Sequence, residues 1–366
     1  MTKICSPKED EPEQDSASVR RQAPGWVDPS LAMASTSESI FEGLVLGTGT
    51  DDPFGLPPRF LADKLVDAFF KFRHPLNTYL HELSFRKRYE RLWLSGSLGG
   101  EEATEANLAW IGLVNIVFTF GSTHEQVASR ISVNRARFFK RARTLVFSGL
   151  LQAGSIDLVQ ALLLMGHYHH GSLELNNCWT VVGLAIRMAQ GLGLHLDAST
   201  FTSDVVEQEV RKRVWWACFV LDRMLSMKVG RPPTIHDGPS IKVSLPLAVD
   251  DEFLTNDASK PPAQPPNVPS KLDFIIQAVP QCRLLERICD MLYSQHQTDT
   301  PKTKFADIPK LLSKAIELDS DLVAWQQALP AHLKADSKVE GWHFERQRST
   351  LIMRQVNINV IQWNPC

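Results

Sequence analysis

Three histidines crowded together, His167, His169 and His170, are the densest set of metal-type ligands in the chain. His167 and His170 stand one helical turn apart and could share a cation. With no acidic or thiol group recognised beside them in sequence, their default reading is ordinary residues at a helix end. The six cysteines, Cys5, Cys178, Cys218, Cys282, Cys289 and Cys366, are scattered. A structural zinc site needs thiolates or imidazoles paired at short spacing, and only Cys282 and Cys289 are near neighbours. Neither a C-x2-C pair nor a disulfide framework is visible, which fits a reducing, intracellular compartment.

Nucleophilic and phosphate chemistry find no pattern either. The chain holds no G-x-S-x-G elbow, H-E-x-x-H helix, G-x-G-x-x-G turn or G-x-x-x-x-G-K loop. No catalytic and no metal-binding residue is assigned, and the expectation is a protein that is not an enzyme. Basic residues cluster at Arg130, Arg135, Arg137, Lys140, Arg141 and Arg143. Only Arg135 is expected within the apolar arc of its helix, so the others read as a solvated face, with an acidic partner or a nucleic-acid backbone as the alternative. Arg211-Lys212-Arg213 and Arg20-Arg21 make weak import signals, the first because a helix would bury part of it. The 39 basic residues are offset by 41 acidic ones, whereas a chain built mainly to bind nucleic acid carries a clear basic excess.

The elements that must position these residues are helical. Residues 1–57 are rich in Ser, Glu, Asp, Pro and Gly without a sustained period, and read as a disordered leader. The N-terminus lacks the apolar segment of a secretory signal. After Pro57-Pro58, Leu61, Leu65, Ala68, Phe69 and Phe72 follow the spacing of one buried helix face. Ala103–Phe120 is apolar nearly all round and predicts a central helix, and its longest apolar run is too short to cross a bilayer. A third helix is predicted over 125–147, with Val127, Ile131, Phe138, Ala142, Leu145 and Val146 inward.

Ser155–His170 and Cys178–Leu192 predict an antiparallel pair turned near Gly171 and stopped by Gly191 and Gly193. Small residues Gly183, Ala185 and Ala189 predict close packing. Asp204 and Glu207 form a capping box for a helix that ends at Gly230, before Pro232 and Pro233. Five prolines mark Asp257–Ser270 as a linker or loop. Two more helices follow, Lys271–Tyr293, bent at Pro280, and one carrying Leu311, Ala315, Leu318, Leu322, Trp325 and Leu329. The expected fold is all-α, an irregular array of antiparallel helices without significant sheet. The boundaries are a leader at 1–57, a main helical domain at 58–256, a Pro-rich linker at 257–270, and C-terminal helices of the same domain at 271–360.

Gln160–Asp251 contains QALLLMGHYHHG, WTVVGLAIRMAQGLGLH, EVRKRVWWACFVLDRMLSMKVGRPPTI and VSLPLAVDDEF. In order and spacing these resemble the fungal-specific transcription factor domain, the middle homology region of binuclear zinc-cluster regulators. Leu56–Trp93 and Leu318–Leu333 are similar to its start and later part. The resemblance implies a nuclear transcription regulator, pathway-specific in the manner of a secondary-metabolite gene cluster, acting through its helical region.

The residues matching the family's structural core are Trp179, Gly183, Arg187, Gly193, Arg213 and Trp215, then Trp216, Asp222, Arg223, Gly230, Arg231 and Pro232. None of them is assigned to DNA contact. The family's clustered cysteines, which hold two zinc ions and read DNA, are absent from 1–57, and the C-terminus reads as cut short. Zinc is therefore a cofactor only if such a cluster exists elsewhere in the protein. The implied partners are the transcription machinery or related zinc-cluster factors, with DNA reached indirectly or through the missing module. A small-molecule effector is also implied, and no membrane. The alternative is a non-DNA-binding interaction module, a decoy or corepressor of a full-length relative, followed by a small-molecule-binding helical protein.

Overall fold

The computed structural model describes residues 55–94, 105–123, 135–150, 154–257, 259–293 and 303–363, all within the compact unit Leu46–Cys366. The predicted face after Pro58 forms helix α1, Arg59–Phe72, with Leu61, Leu65, Val66 and Phe69 inward. Pro58 begins it through its carbonyl, which accepts from the amides of Leu61 and Ala62. The central apolar segment is α3, Glu105–Gly121, where Leu113, Val114, Ile116, Val117 and Phe118 are buried. It lies against α1, against α4 (Arg135–Ser148) and against α5 (Ile156–Gly171). Val127, Ile131 and Arg130 lie outside the described residues.

Helices α5 and α6 (Leu175–Gly191) form the expected pair, and their short connection makes them an antiparallel hairpin. The turn differs from expectation. Gly171 ends α5 in helical geometry, and Leu173 takes the left-handed conformation at φ 60°. Gly193 is the true stop after α6. It has φ 67°, and the Leu194 amide reaches back to the Ala189 carbonyl at 3.0 Å, a Schellman closure.

Helix α7, Val205–Val229, packs on α6, α5 and α8 (Asp273–Tyr293). Its N-cap is half of the expected box: Asp204 accepts from the Glu207 amide at 2.9 Å, while the Glu207 side chain turns forward to Arg211 at 3.4 Å. Gly230 ends it in left-handed geometry at φ 63°. Helix α8 continues through Pro280 and packs on α9 (Thr303–Ala328) and α10 (Trp342–Trp363).

The apolar spacing does not predict α10, nor α2 (Glu82–Leu94). In α2 the inward face is reduced to Phe85 and Tyr89 among charged residues, and in α10 polar side chains carry much of the packing. Gln347, fully buried on α10, donates to the Pro75 and Lys271 carbonyls at 2.7 and 3.0 Å. The Pro-rich segment is a docked loop: Ser270 donates to Asp250 at 2.8 Å, and Gln264 accepts from the Asp250 amide at 2.9 Å. Among the described residues the regular structure is all helical, with no strand.

Candidate functional site

Helix α7 carries charged side chains into the core, and each has a structural reason to be there. After Gly230 the chain returns along α7 as extended backbone without sheet partners. Buried backbone groups need acceptors and donors from elsewhere, and α7 supplies them. Asp222 accepts from the Thr234 and Ile235 amides, both at 2.9 Å, and Glu209 from the Leu247 amide at 2.8 Å. Trp216 donates to the Ser244 carbonyl at 2.9 Å and Arg213 to the Val249 carbonyl at 3.2 Å.

The ion pairs extend the same grip. Arg213 pairs with Asp251, whose other oxygen accepts from the Glu82 amide at 2.7 Å, tying α7 to α2. Burial alone would raise the Asp251 carboxyl, but Arg213, His74 and His81 outweigh it and hold it below the ordinary carboxylate range. Arg223 reaches Asp222 at 2.9 Å and Glu286 of α8 at 2.8 Å, and lies 4.1 Å from the Phe219 ring centroid. It thus joins α7 to α8 through side chains.

Trp215 and Trp216 are both buried. The remaining motif residues are placed less deeply. Arg187 is exposed, Trp179 is 37% exposed, and Arg231 covers the Trp179 ring at 4.8 Å while donating to Asn176 at 3.0 Å. Gly230 and Pro232 are at the surface, and a Cβ on Gly183 would meet nothing within 4 Å. The close approach expected at Gly183 occurs instead at Gly166, where a Cβ would come 2.7 Å from Val182.

The three histidines diverge. Asn77 donates to His167 at 2.8 Å, and Lys228 donates to His170 at 2.6 Å. His169 donates to Glu174 at 2.6 Å, an acidic partner five positions on that sequence reading passed over. No group of three or more metal-type ligands converges among the described residues. The basic stretch also departs from expectation. Arg141 is buried and donates to the Gly55 carbonyl at 2.7 Å, because it falls between Phe138 and Leu145 on the inward arc of α4. Lys140 and Arg137 are exposed.

His167, His170 and Arg213 share one feature that sequence reading did not join. They line a cavity of about 510 Å³ bounded by the turn after α1 and by α5, α7, α8 and α10. Its apolar wall includes Leu76, Val220, Leu221, Met224 and Phe274, and its cations are Arg73, Arg213, Lys228, Arg346 and Arg354. Burial pushes Arg354 below the ordinary arginine value, and burial with Arg346 and Arg135 does the same to Arg73. Burial also drives His167 well below the usual imidazole value, with Arg73, His170 and Arg354 acting in the same direction. These cations come from α7, from α10 and from the turn after α1, so only the fold could reveal their meeting.

The stretch of sequence that carries these helices and clips matches a known domain family. The model of the fungal specific transcription factor domain matches residues 66–327. The chain belongs to this family. Its relatives within the fungal-specific domain family are transcription factors rather than enzymes. It is 27% identical over 358 residues to Transcription factor FBD3 of Gibberella moniliformis, covering 94% of this chain and 45% of that protein. It is 30% identical over 206 residues to Sorbicillinoid biosynthetic cluster transcription factor 2 of Penicillium rubens, covering 54% and 29%. Zn(2)-C6 fungal-type transcription factor pigI of Monascus ruber is 26% identical over 257 residues, covering 68% and 31%. The chain spans less than half the length of these curated relatives. No solved structure matches it.

Proposed function

We propose that this chain is the helical regulatory region of a nuclear, pathway-specific transcription regulator of the secondary-metabolite kind. The family match over 66–327 carries the reading. The relative named for a sorbicillinoid biosynthetic cluster supports the pathway-specific part. Physically, regulation here is a shift between packings of the helical array, biased by whatever binds one packing better. The α7 clips make such a shift cooperative, because moving α7 disturbs α2, α8 and the Gly230–Phe253 return together. Zinc enters only through a cysteine cluster of the family's type, and the described residues supply none: Cys178, Cys218, Cys282 and Cys289 are free thiols in no group of three metal-type ligands.

The test is a reporter strain in which the chain is tethered to an unrelated DNA-binding domain. Expression from the reporter changes, in either direction, relative to the DNA-binding domain alone. An unchanged reporter, with the fusion present in the nucleus, would sink the reading. A second reading, action through a related zinc-cluster factor and not on DNA itself, is favoured by the balance of 39 basic and 41 acidic residues. Purified chain then captures such a factor yet leaves the mobility of target DNA unaltered.

A further inference from the structure

The cavity bounded by the turn after α1 and by α5, α7, α8 and α10 carries charge of one sign. Among the described residues that line it there is no Asp or Glu. Arg213 has its own carboxylate in Asp251. Arg73, Lys228, Arg346 and Arg354 have no ion pair among the described residues, although carboxylates partner Arg88, Arg211, Arg223 and Arg283. Charge withdrawn from water without a counter-charge is costly, and Arg73 and Arg354, both half-buried, lack the partner that would offset it.

The lining holds several buried side-chain atoms without a hydrogen-bond partner, one of them an acceptor, Asn77 Oδ1, and the others able to donate. Nε of Arg73 and Nη1 of Arg354 are buried without a hydrogen-bond partner, and so is the hydroxyl of Tyr79, a residue only 2% exposed. All three residues line the cavity. They present donors from α10 and from the turn after α1 to the same space. Their positive field reaches the histidines: Arg73 and Arg354 each contribute to lowering His167 and His170, after burial. Lys228 and Arg346 are exposed at the rim, where they can draw in an anion.

The rest of the wall is apolar. Val220, Leu221, Met224 and Leu225 project from one face of α7, facing Phe274 and Ile275 of α8. A bare inorganic anion would leave this surface wetted, whereas a body of carbon would cover it. At about 510 Å³ the space is equivalent to roughly seventeen waters of liquid volume, enough for a medium-sized organic molecule.

We infer that this cavity binds an amphipathic organic acid, its anionic head between Arg73, Tyr79 and Arg354 and its apolar body along α7 and α8. This deepens the regulatory reading by naming the site and chemical class of an effector, but binding itself is measured without any transcription readout. The ligand would bridge α10 to α7 and so favour the packing in which these helices close on each other.

Decanoate serves as the probe, with 1-decanol and acetate as controls, on the purified full chain by calorimetric titration and thermal unfolding. Decanoate binds and raises the melting temperature, while the alcohol and acetate at equal concentration do not. Arg354→Met weakens decanoate at least about tenfold, the loss expected for one charge-assisted contact, without lowering the melting temperature of the free protein. Lys228→Met, at the exposed rim, weakens it less and serves as a variant with little risk to folding. Equal shifts from decanoate and decanol, or from acetate and decanoate, would overturn the proposal, as would full decanoate affinity in Arg354→Met. If decanoate binds but the tethered reporter is silent, the regulatory reading fails alone; if the reporter responds and decanoate does not bind, this inference fails alone.

Discussion

Asp222 shows at residue scale what a buried carboxylate does for this fold. Its two oxygens take the Thr234 and Ile235 amides and the Arg223 guanidinium, and the residue is 3% exposed. An asparagine of the same size offers one acceptor oxygen and turns an amide donor toward other donors. Asp222→Asn is therefore expected to cost about 3 kcal/mol, read as a lower urea midpoint. A loss below about 1 kcal/mol would mean that the amides find water instead. Trp216→Phe provides the milder comparison. It removes one hydrogen bond, to the Ser244 carbonyl, and is expected to cost about 1–2 kcal/mol with the ring packing largely kept. The sequence marked both residues through their family motif, but not their work. Pairing an α7 side chain with a backbone amide twelve or more positions away depends on the path of the chain after Gly230, and no local pattern encodes that path.

At the scale of elements, glycine positions separate what spacing can predict from what it cannot. Gly230 and Gly193 were readable because a helix followed by glycine is a local signal, and both adopt positive φ. Gly183 was expected to allow close packing of α6, yet the space above it is open. The close crossing of α5 and α6 rests on Gly166, and that of α3 and α1 on Gly121, where a Cβ would stand 2.1 Å from the Leu65 carbonyl oxygen. Which glycine of a helix faces a neighbour depends on rotation about the helix axis, which several small residues together leave undetermined. Two substitutions check the assignment. Gly183→Ala is expected to stabilise the protein by about 0.5–1 kcal/mol, since a helix interior gains from alanine and nothing clashes. Gly121→Ala is expected to cost roughly 3 kcal/mol or more, because the contact is with backbone that cannot swing aside. Thermal unfolding of the two variants decides it: a loss at Gly183 or a neutral result at Gly121 would put α6 or α3 in a different rotation. Helices α2 and α10 escaped the apolar period for a related reason. The inward residues of α10 include Gln347 and Arg354, polar groups whose burial makes sense only beside the carbonyls and the cavity they meet, and α2 turns only Phe85 and Tyr89 inward among charged residues.

Across the whole molecule, the buried imidazoles set how stability follows pH. His74, His167, His169, His170, His332 and His343 all sit below the ordinary histidine value of 6.5, each chiefly because burial disfavours the charged ring. On unfolding, each recovers that value and takes up protons the native ring refuses. Their contribution to stability is therefore complete above about pH 6.5 and is lost as pH falls toward their native values. Asp251 adds to this decline at lower pH, since its carboxyl is held below the ordinary 3.8 in the fold and must be protonated as the acid limb is reached. Asp273 works the other way. Burial pushes its carboxyl up to about 6, so its native form keeps a proton that the unfolded chain gives up, and its contribution fades as pH rises through that window. Asp157, also raised by burial, acts in the same direction as Asp273. Six rings outweigh these two carboxyls, and the melting temperature should stay level above about pH 7, then fall steadily between about pH 6.5 and pH 5. Calorimetric scans across that range test the sign. A melting temperature that held level or rose toward pH 5 would mean that the rings are solvated, and with them the cavity that His167 and His170 line.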